Sequence, residues 1–114
     1  MLVLTIFGVP TEPPEVRAGF DSLKPALIRA VMSIKALGLD DGDVAVHYPS
    51  QDKSPGDILK CIIMCLRGSP AISALNQAHI AEKLCEKIRS TLTVAIESNH
   101  ALSNWRGVIN VLIH

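Results

Sequence analysis

Two stretches of the chain show the same order of apolar patterns, in which a strand is followed by a helix and a second strand. Residues Leu2–Val9 are apolar or β-branched, which is typical of a strand buried on both faces. Apolar positions then recur at helical spacing within Asp21–Leu37, and Val44–Tyr48 reads as a second strand. Residues 1–50 are therefore predicted to form one β-α-β unit.

The start of the first helix has two readings. Asp21 or Ser22 can cap the helix, and Pro25 then falls in or just past the first turn, where its missing N–H costs little. A start at Pro14 would place Pro25 inside the helix and kink it. We favour the later start.

The second unit is predicted over residues 57–98. Ile58–Leu66 reads as a strand, Ser73–Leu92 as a helix, and a fourth strand is expected from Thr91 or Thr93 to Glu97. Each unit should be a right-handed crossover. The final apolar segment, Val108–Ile113, is left without a partner in this sheet, so we expect it to add to the sheet of a neighbouring subunit.

The composition predicts one domain, residues 1–114, with a surplus of apolar residues. The chain is 48% hydrophobic and only 19% charged, against about 25% charged in an average domain. Its longest apolar runs fall far short of the roughly 20 residues of a membrane span, and the first residues lack the basic region of a signal peptide. Burial in an oligomer is therefore expected rather than insertion in a membrane.

Charge and cysteine content narrow the choice of partners. The 11 basic and 11 acidic side chains are interspersed and give no net charge, so neither nucleic acid nor an anionic membrane is an expected partner. Three cysteines are an odd number without zinc-site spacing, which fits reduced thiols in a cytoplasmic protein. We predict no metal and no cofactor.

The order βαββαβ fits two α+β folds, a ferredoxin-like domain and the double β-α-β unit of the tautomerase superfamily. Short segments favour the second. Gly19-Phe20 before the helix and Ala45–His47 resemble the macrophage migration inhibitory factor branch, whereas Leu27–Val31 resembles 4-oxalocrotonate tautomerase. Val94–Glu97 followed by Asn104–Gly107 is similar to the stretch that ends strand two of the short tautomerases.

This resemblance implies a homotrimer, a barrel of sheets with the helices outside and pockets between subunits that begin at the amino terminus. In active members an amino-terminal proline is the general base. Position 2 is Leu2, and removal of Met1 is not expected before so large a side chain. The Met1 amine is then the nearest substitute, displaced by one residue, and proline-type tautomerase activity should be absent or very weak.

Other pocket positions of the family also differ. The arginine that opens strand two falls at Ala45, and the tyrosine and asparagine of the inhibitory factor's pocket fall near Ala95 and Glu97. Lys35 is close to that factor's pocket lysine. The resemblance therefore implies a pocket with fewer polar groups.

The candidate site residues follow from these patterns. The catalytic candidates are Met1, Leu2 and Glu97, and the binding candidates are Lys35, Arg67, Arg106 and Trp105. The two arginines flank turns where a guanidinium can grip a ligand carboxylate, and a carboxylate ending a buried strand can act as a base. Trp105 is expected to line a pocket or pack in an interface.

Two hypotheses remain open at this point. The first is a binding or structural homotrimer that keeps the family fold and has lost proline-based tautomerisation. The second is an isomerase-like enzyme that acts on a small keto acid or related carboxylate with a non-proline base.

Overall fold

The computed structural model describes residues 1–10, 14–49, 58–66, 69, 71–102, 105 and 107–113. Within these residues four strands and four α-helices follow one another in the order β1 (Leu2–Phe7), α1 (Pro14–Asp21), α2 (Lys24–Met32), β2 (Val44–His47), β3 (Ile58–Cys65), α3 (Ala71–Leu75), α4 (Ala78–Ser98) and β4 (Val108–Ile113). Single 3₁₀ turns lie at Lys35–Leu37, Asp41–Asp43 and His100–Leu102.

The strands form one sheet in the order β2-β1-β3-β4. Strands β1 and β2 are parallel, β3 and β4 are parallel, and β1 and β3 are antiparallel. Each parallel pair is joined through helices, so the sheet consists of two β-α-β units placed side by side. In a ferredoxin-like domain β1 would lie between β3 and β4, whereas here it lies between β2 and β3, which excludes that alternative.

The predicted fourth strand is wrong, because Thr91–Glu97 forms the last turns of α4. Leu84, Ile88, Leu92 and Ile96 follow one another at intervals of four and are all buried, so helical periodicity extends through a segment rich in β-branched residues. The second unit consequently runs beyond residue 98 and ends with β4.

The prediction that Val108–Ile113 lacks a partner within the subunit is also wrong. This segment is β4, and it pairs in parallel with β3 from Ile58↔Val108 to Ile63↔Ile113. The crossover through the longer α4 places it beside β3. A neighbouring subunit is therefore not needed to pair this side of β4.

The first helical region starts earlier than the preferred reading. It begins at Pro14, breaks at Ser22-Leu23, and resumes as α2 with Pro25 at its second position. Pro25 has no N–H to donate to the preceding turn, and the Ser22 hydroxyl donates to the Gly19 carbonyl oxygen at 2.6 Å. The proline therefore separates two helices and does not kink a single one. The second helical region is divided as well, into α3 and α4.

The core lies between the helices and one face of the sheet. Leu2, Leu4 and Ile6 of β1 alternate with half-buried residues, and they join Leu59, Cys61 and Ile63 of β3 under α2 and α4. The other face, which we call the open face, carries Val3, Thr5, Phe7, Ala45, His47, Ile58, Lys60, Ile62, Met64, Val108, Asn110 and Leu112. This face is mostly apolar, which explains where the chain's surplus of apolar residues lies.

Candidate functional site

The predicted site residues separate into two groups at opposite edges of the sheet. Because β1 and β2 are parallel, their first residues, Leu2 and Val44, are neighbours at one edge. Met1 lies there, and its carbonyl oxygen accepts a hydrogen bond from the N–H of Leu66 at 2.9 Å. Lys35 is exposed. The 3₁₀ turn that contains it leads towards β2, and this turn contacts α3. We call this the amino-terminal edge.

The other edge is where β3 and β4 begin, at Ile58 and Val108. Glu97 lies on the last turn of α4, and Trp105 lies in the loop before β4, so both belong to this edge. The six residues of β1 rise by about 3.3 Å each, which separates the two edges by roughly 17 Å. The structure thus brings Glu97 and Trp105 together and leaves Met1, Leu2 and Lys35 elsewhere. Arg67 and Arg106 lie outside the described residues.

A cleft of about 380 Å³ opens between the end of α4 and the start of β4. Its described lining residues are Thr93, Ile96, Glu97, Trp105, Gly107 and Ile109. Sequence reasoning identified only Glu97 and Trp105. Thr93 is not among the sequence-predicted site residues, because a strand is predicted for its segment. In the helix it lies one turn before Glu97, and the i,i+4 spacing is the sequence signal for that relation.

The indole of Trp105 is held as one wall of this cleft. Its ring packs edge-to-face on Phe20, with ring centroids 6.2 Å apart and an interplanar angle of 85°. The backbone N–H of Trp105 donates to the backbone carbonyl oxygen of Leu102 at 3.0 Å. The carbonyl of Phe20 in turn accepts a buried 2.7 Å hydrogen bond from the hydroxyl of Tyr48. The wall is therefore supported by both helical and loop residues.

Asn99 fixes the end of α4 against the break between α1 and α2. Its side-chain oxygen accepts a hydrogen bond from the N–H of Ala101 at 2.9 Å, and its amide nitrogen donates to the Ser22 hydroxyl oxygen at 3.3 Å. Its own backbone N–H donates to the carbonyl oxygen of Ile96 at 3.3 Å. These contacts fix the position of the last turn of α4, which carries Glu97, beside the loop that precedes β4.

Tyr48 supports the site as a neutral hydrogen-bond donor. Burial raises the pKa of its hydroxyl, the negative charge of Asp21 raises it further, and Arg17 partly opposes the rise. The Lys24 ammonium lies 4.6 Å from the centroid of its ring and the Arg17 guanidinium 5.4 Å. The hydroxyl therefore keeps its proton and its bond to Phe20 at neutral pH.

The charge inside the cleft is negative among the described lining residues. Glu97 is exposed and is the one ionisable group among them. The Thr93 hydroxyl donates to the Arg89 carbonyl oxygen at 2.9 Å, so its oxygen lone pairs remain as acceptors. No group of three or more potential metal ligands occurs within the described part of the chain.

The structure gives the surroundings of three positions that the sequence analysis singled out. The Leu2 side chain is fully buried in the core and carries no ionisable group, so it supplies no chemistry. Ala95 and Glu97 lie on α4 and not on the strand predicted for this segment.

No protein-family model matches the chain, and no curated protein matches it in sequence. Solved structures do match over nearly its whole length. An asymmetric trimer of the fused 4-OT R7 aligns with a TM-score of 0.62 at 16% identity, covering 98% of this chain and 84% of that chain. Native fused 4-OT aligns with a TM-score of 0.55 at 14% identity, covering 97% and 87%. N1, a member of the cis-3-chloroacrylic acid dehalogenase family, gives 0.51 at 13%, covering 96% and 73%.

These matches show that the chain has the fold of the tautomerase superfamily, as the sequence resemblance predicted. They confirm a small α+β fold of two β-α-β units. Within the described residues, none of the helices has the length and apolar character to cross a bilayer.

Proposed function

We propose that this chain is a tautomerase-fold homotrimer that lacks proline-dependent tautomerase activity. The observation that carries the proposal is the identity of the residues at the start of β1, which are Met1 and Leu2. A proline there is the general base implied by the resemblance. General acid–base catalysis typically contributes a factor of about 10² to 10⁴ and requires the base within hydrogen-bond reach of its proton.

The open face of the sheet supports self-association. Four of its apolar side chains are substantially exposed in the single subunit: Ile58 by 39%, Met64 by 40%, Val108 by 59% and Leu112 by 50%. Burying apolar surface contributes about 25 cal/mol per Å², so packing this face against other subunits would be favourable. One of the matched structures, the fused 4-OT R7, is itself described as a trimer.

The assembly is tested by sedimentation equilibrium, which should give about three times the 12.3 kDa chain mass. Leu112→Asp places a charge on the open face and should weaken association. Val94→Asp is the matched control, because Val94 is an exposed apolar residue on α4. A wild-type chain that stays monomeric at micromolar concentration would refute the trimer.

The loss of activity is tested by following keto–enol exchange of phenylpyruvate. We expect the exchange to proceed near the buffer rate. Robust turnover that is abolished by acetylating the terminal amine would show that the Met1 amine replaces the proline.

A second candidate function is favoured by one observation, the shared cleft of Glu97 and Trp105. It is an isomerase-like enzyme that acts on a small keto acid or carboxylate with Glu97 as base. Its predicted carboxylate grip, from Arg67 and Arg106, stays a prediction. Turnover that is lost in Glu97→Gln but insensitive to amine acetylation would select this candidate.

A cytoplasmic location also stays a prediction. It is supported by the three cysteines, which are all free: Cys61, Cys65 and Cys85.

A further inference from the structure

The two β-α-β units are related by an approximate twofold axis through the middle of the sheet. Strands β1 and β3 are antiparallel neighbours at the centre of the sheet, and each has its own parallel partner on its outer side. A rotation of 180° about an axis between β1 and β3 therefore places one β-α-β unit on the other. The amino-terminal edge, where β1 and β2 begin, therefore has a counterpart where β3 and β4 begin. The cleft of Glu97 and Trp105 lies at that counterpart edge.

The cleft depends on a feature that the first unit lacks. Helix α4 has 21 residues, whereas α2 has nine. The last turns of α4 carry Thr93, Ile96 and Glu97, and these turns form one side of the cleft. Ile109, the lining residue from β4, lies on the helix-covered face of the sheet and not on the open face.

The chemistry of the described lining residues selects the sign of a ligand's charge. A carboxylate and a half-buried indole both attract organic cations, the first by charge and the second through the negative face of its ring. A ligand carboxylate would instead meet the like charge of Glu97. Ile96 and Ile109 offer apolar contact beside these groups.

We propose that this cleft binds a small organic molecule that carries a protonated amine. The ammonium group lies between the Glu97 carboxylate and the Trp105 indole, and the hydrocarbon part lies against Ile96 and Ile109. The volume of about 380 Å³ falls within the range of about 300–1,000 Å³ that is usual for small-molecule sites. This proposal does not depend on the trimer or on the missing proline.

The chain contains one tryptophan, so the fluorescence of Trp105 reports on the cleft directly. We would titrate the full-length protein at pH 7 with benzylamine, benzyl alcohol and phenylacetate, which share a benzyl group and differ in charge. Because one exposed ion pair and one cation–π contact act together, benzylamine should bind about tenfold more tightly than benzyl alcohol. Phenylacetate should bind more weakly than either.

Two variants isolate the carboxylate. Glu97→Gln should abolish the preference for benzylamine over benzyl alcohol. Glu82→Gln removes the same charge from an exposed position elsewhere on α4 and should keep that preference. Far-ultraviolet circular dichroism of both variants checks that α4 is intact.

Three results would overturn the proposal. The first is tighter binding of phenylacetate than of benzylamine, which would indicate that a cation such as Arg106 dominates the site. The second is an amine preference that persists in Glu97→Gln. The third is the lack of any saturable fluorescence change with benzylamine. None of these results bears on sedimentation or on the role of the terminal amine, so failure here is distinguishable from failure of the proposed trimer without proline-dependent activity. The first result would favour the second candidate function, which places a carboxylate in the same cleft.

Discussion

Replacing Gly8 by alanine should destabilise the protein strongly, because two separate effects coincide at this position. Gly8 follows β1 with φ of +90°, a conformation that L side chains rarely adopt. An added Cβ would also overlap the carbonyl oxygen of Ile58, the first residue of β3, and would lie 3.1 Å from its carbonyl carbon. Both opposing atoms belong to the backbone, so relief requires β1 and β3 to move apart.

Two other glycines allow the contributions to be separated. Gly38 has φ of +63° but nothing within 4 Å of an added Cβ, and Gly42 likewise has open space but no positive φ. Gly38→Ala should therefore cost only the left-handed backbone strain, about 1–2 kcal/mol. Gly42→Ala should be near neutral or stabilising by about 0.4–1 kcal/mol. Gly8→Ala adds overpacking, typically about 1–3 kcal/mol, and should cost about 2–5 kcal/mol in total.

Urea denaturation followed by circular dichroism measures these differences. All variants must be compared at one protein concentration, because association makes apparent stability concentration-dependent. The expected order of the free energy of unfolding is Gly42→Ala highest, then Gly38→Ala, then Gly8→Ala. If Gly8→Ala and Gly38→Ala unfold at the same urea concentration, the prediction that the backbone of β3 leaves no room for a Cβ at position 8 is refuted.

Three further predictions follow from buried groups. Leu92→Ala should lower the free energy of unfolding by about 2–5 kcal/mol because it leaves a cavity under α4. Val94→Ala changes a side chain that is 61% exposed and should be near neutral. Equal effects of the two substitutions in urea melts would contradict a helix in this segment. Tyr48→Phe removes the buried hydrogen bond to the Phe20 carbonyl and should cost about 1–2 kcal/mol, and an unchanged melt would show that the bond contributes nothing. Burial raises the pKa of the Cys61 thiol from 9.0 to about 12, so the unfolded chain loses this proton at a lower pH than the folded chain does. The free energy of unfolding should therefore fall as the pH rises from 9 towards 12, by at most about 1.4 kcal/mol per pH unit. Cys61→Val should show a shallower decline over the same range, and an identical slope would refute this assignment.

The pattern of apolar and polar residues was sufficient to locate three of the described strands. β1, β2 and β3 were each expected within two residues of their observed ends, because apolar runs bounded by glycine, proline or polar residues are local signals. The resemblance to the tautomerase fold then selected the correct topology. Glu97 and Trp105 were both identified as candidates from residue type and position.

The segment from Thr91 to Glu97 shows why local preference was insufficient. Thr91, Thr93, Val94 and Ile96 favour a strand when taken alone, yet Leu92 and Ile96 continue the buried stripe of α4. Burial of that stripe against the sheet outweighs propensities that differ by only tenths of a kcal/mol per residue. Misreading this one segment also left β4 without its partner.

What the tertiary structure alone decided is how the candidate residues are grouped. Residue types and spacing cannot show that Met1 and Lys35 lie at one edge of the sheet while Glu97 and Trp105 lie at the other. That separation arises from the antiparallel pairing of β1 with β3, which joins residues distant in sequence and points the two units in opposite directions. The amino-acid sequence thus determined the units and their chemistry, and long-range strand pairing determined which of those groups share a cleft.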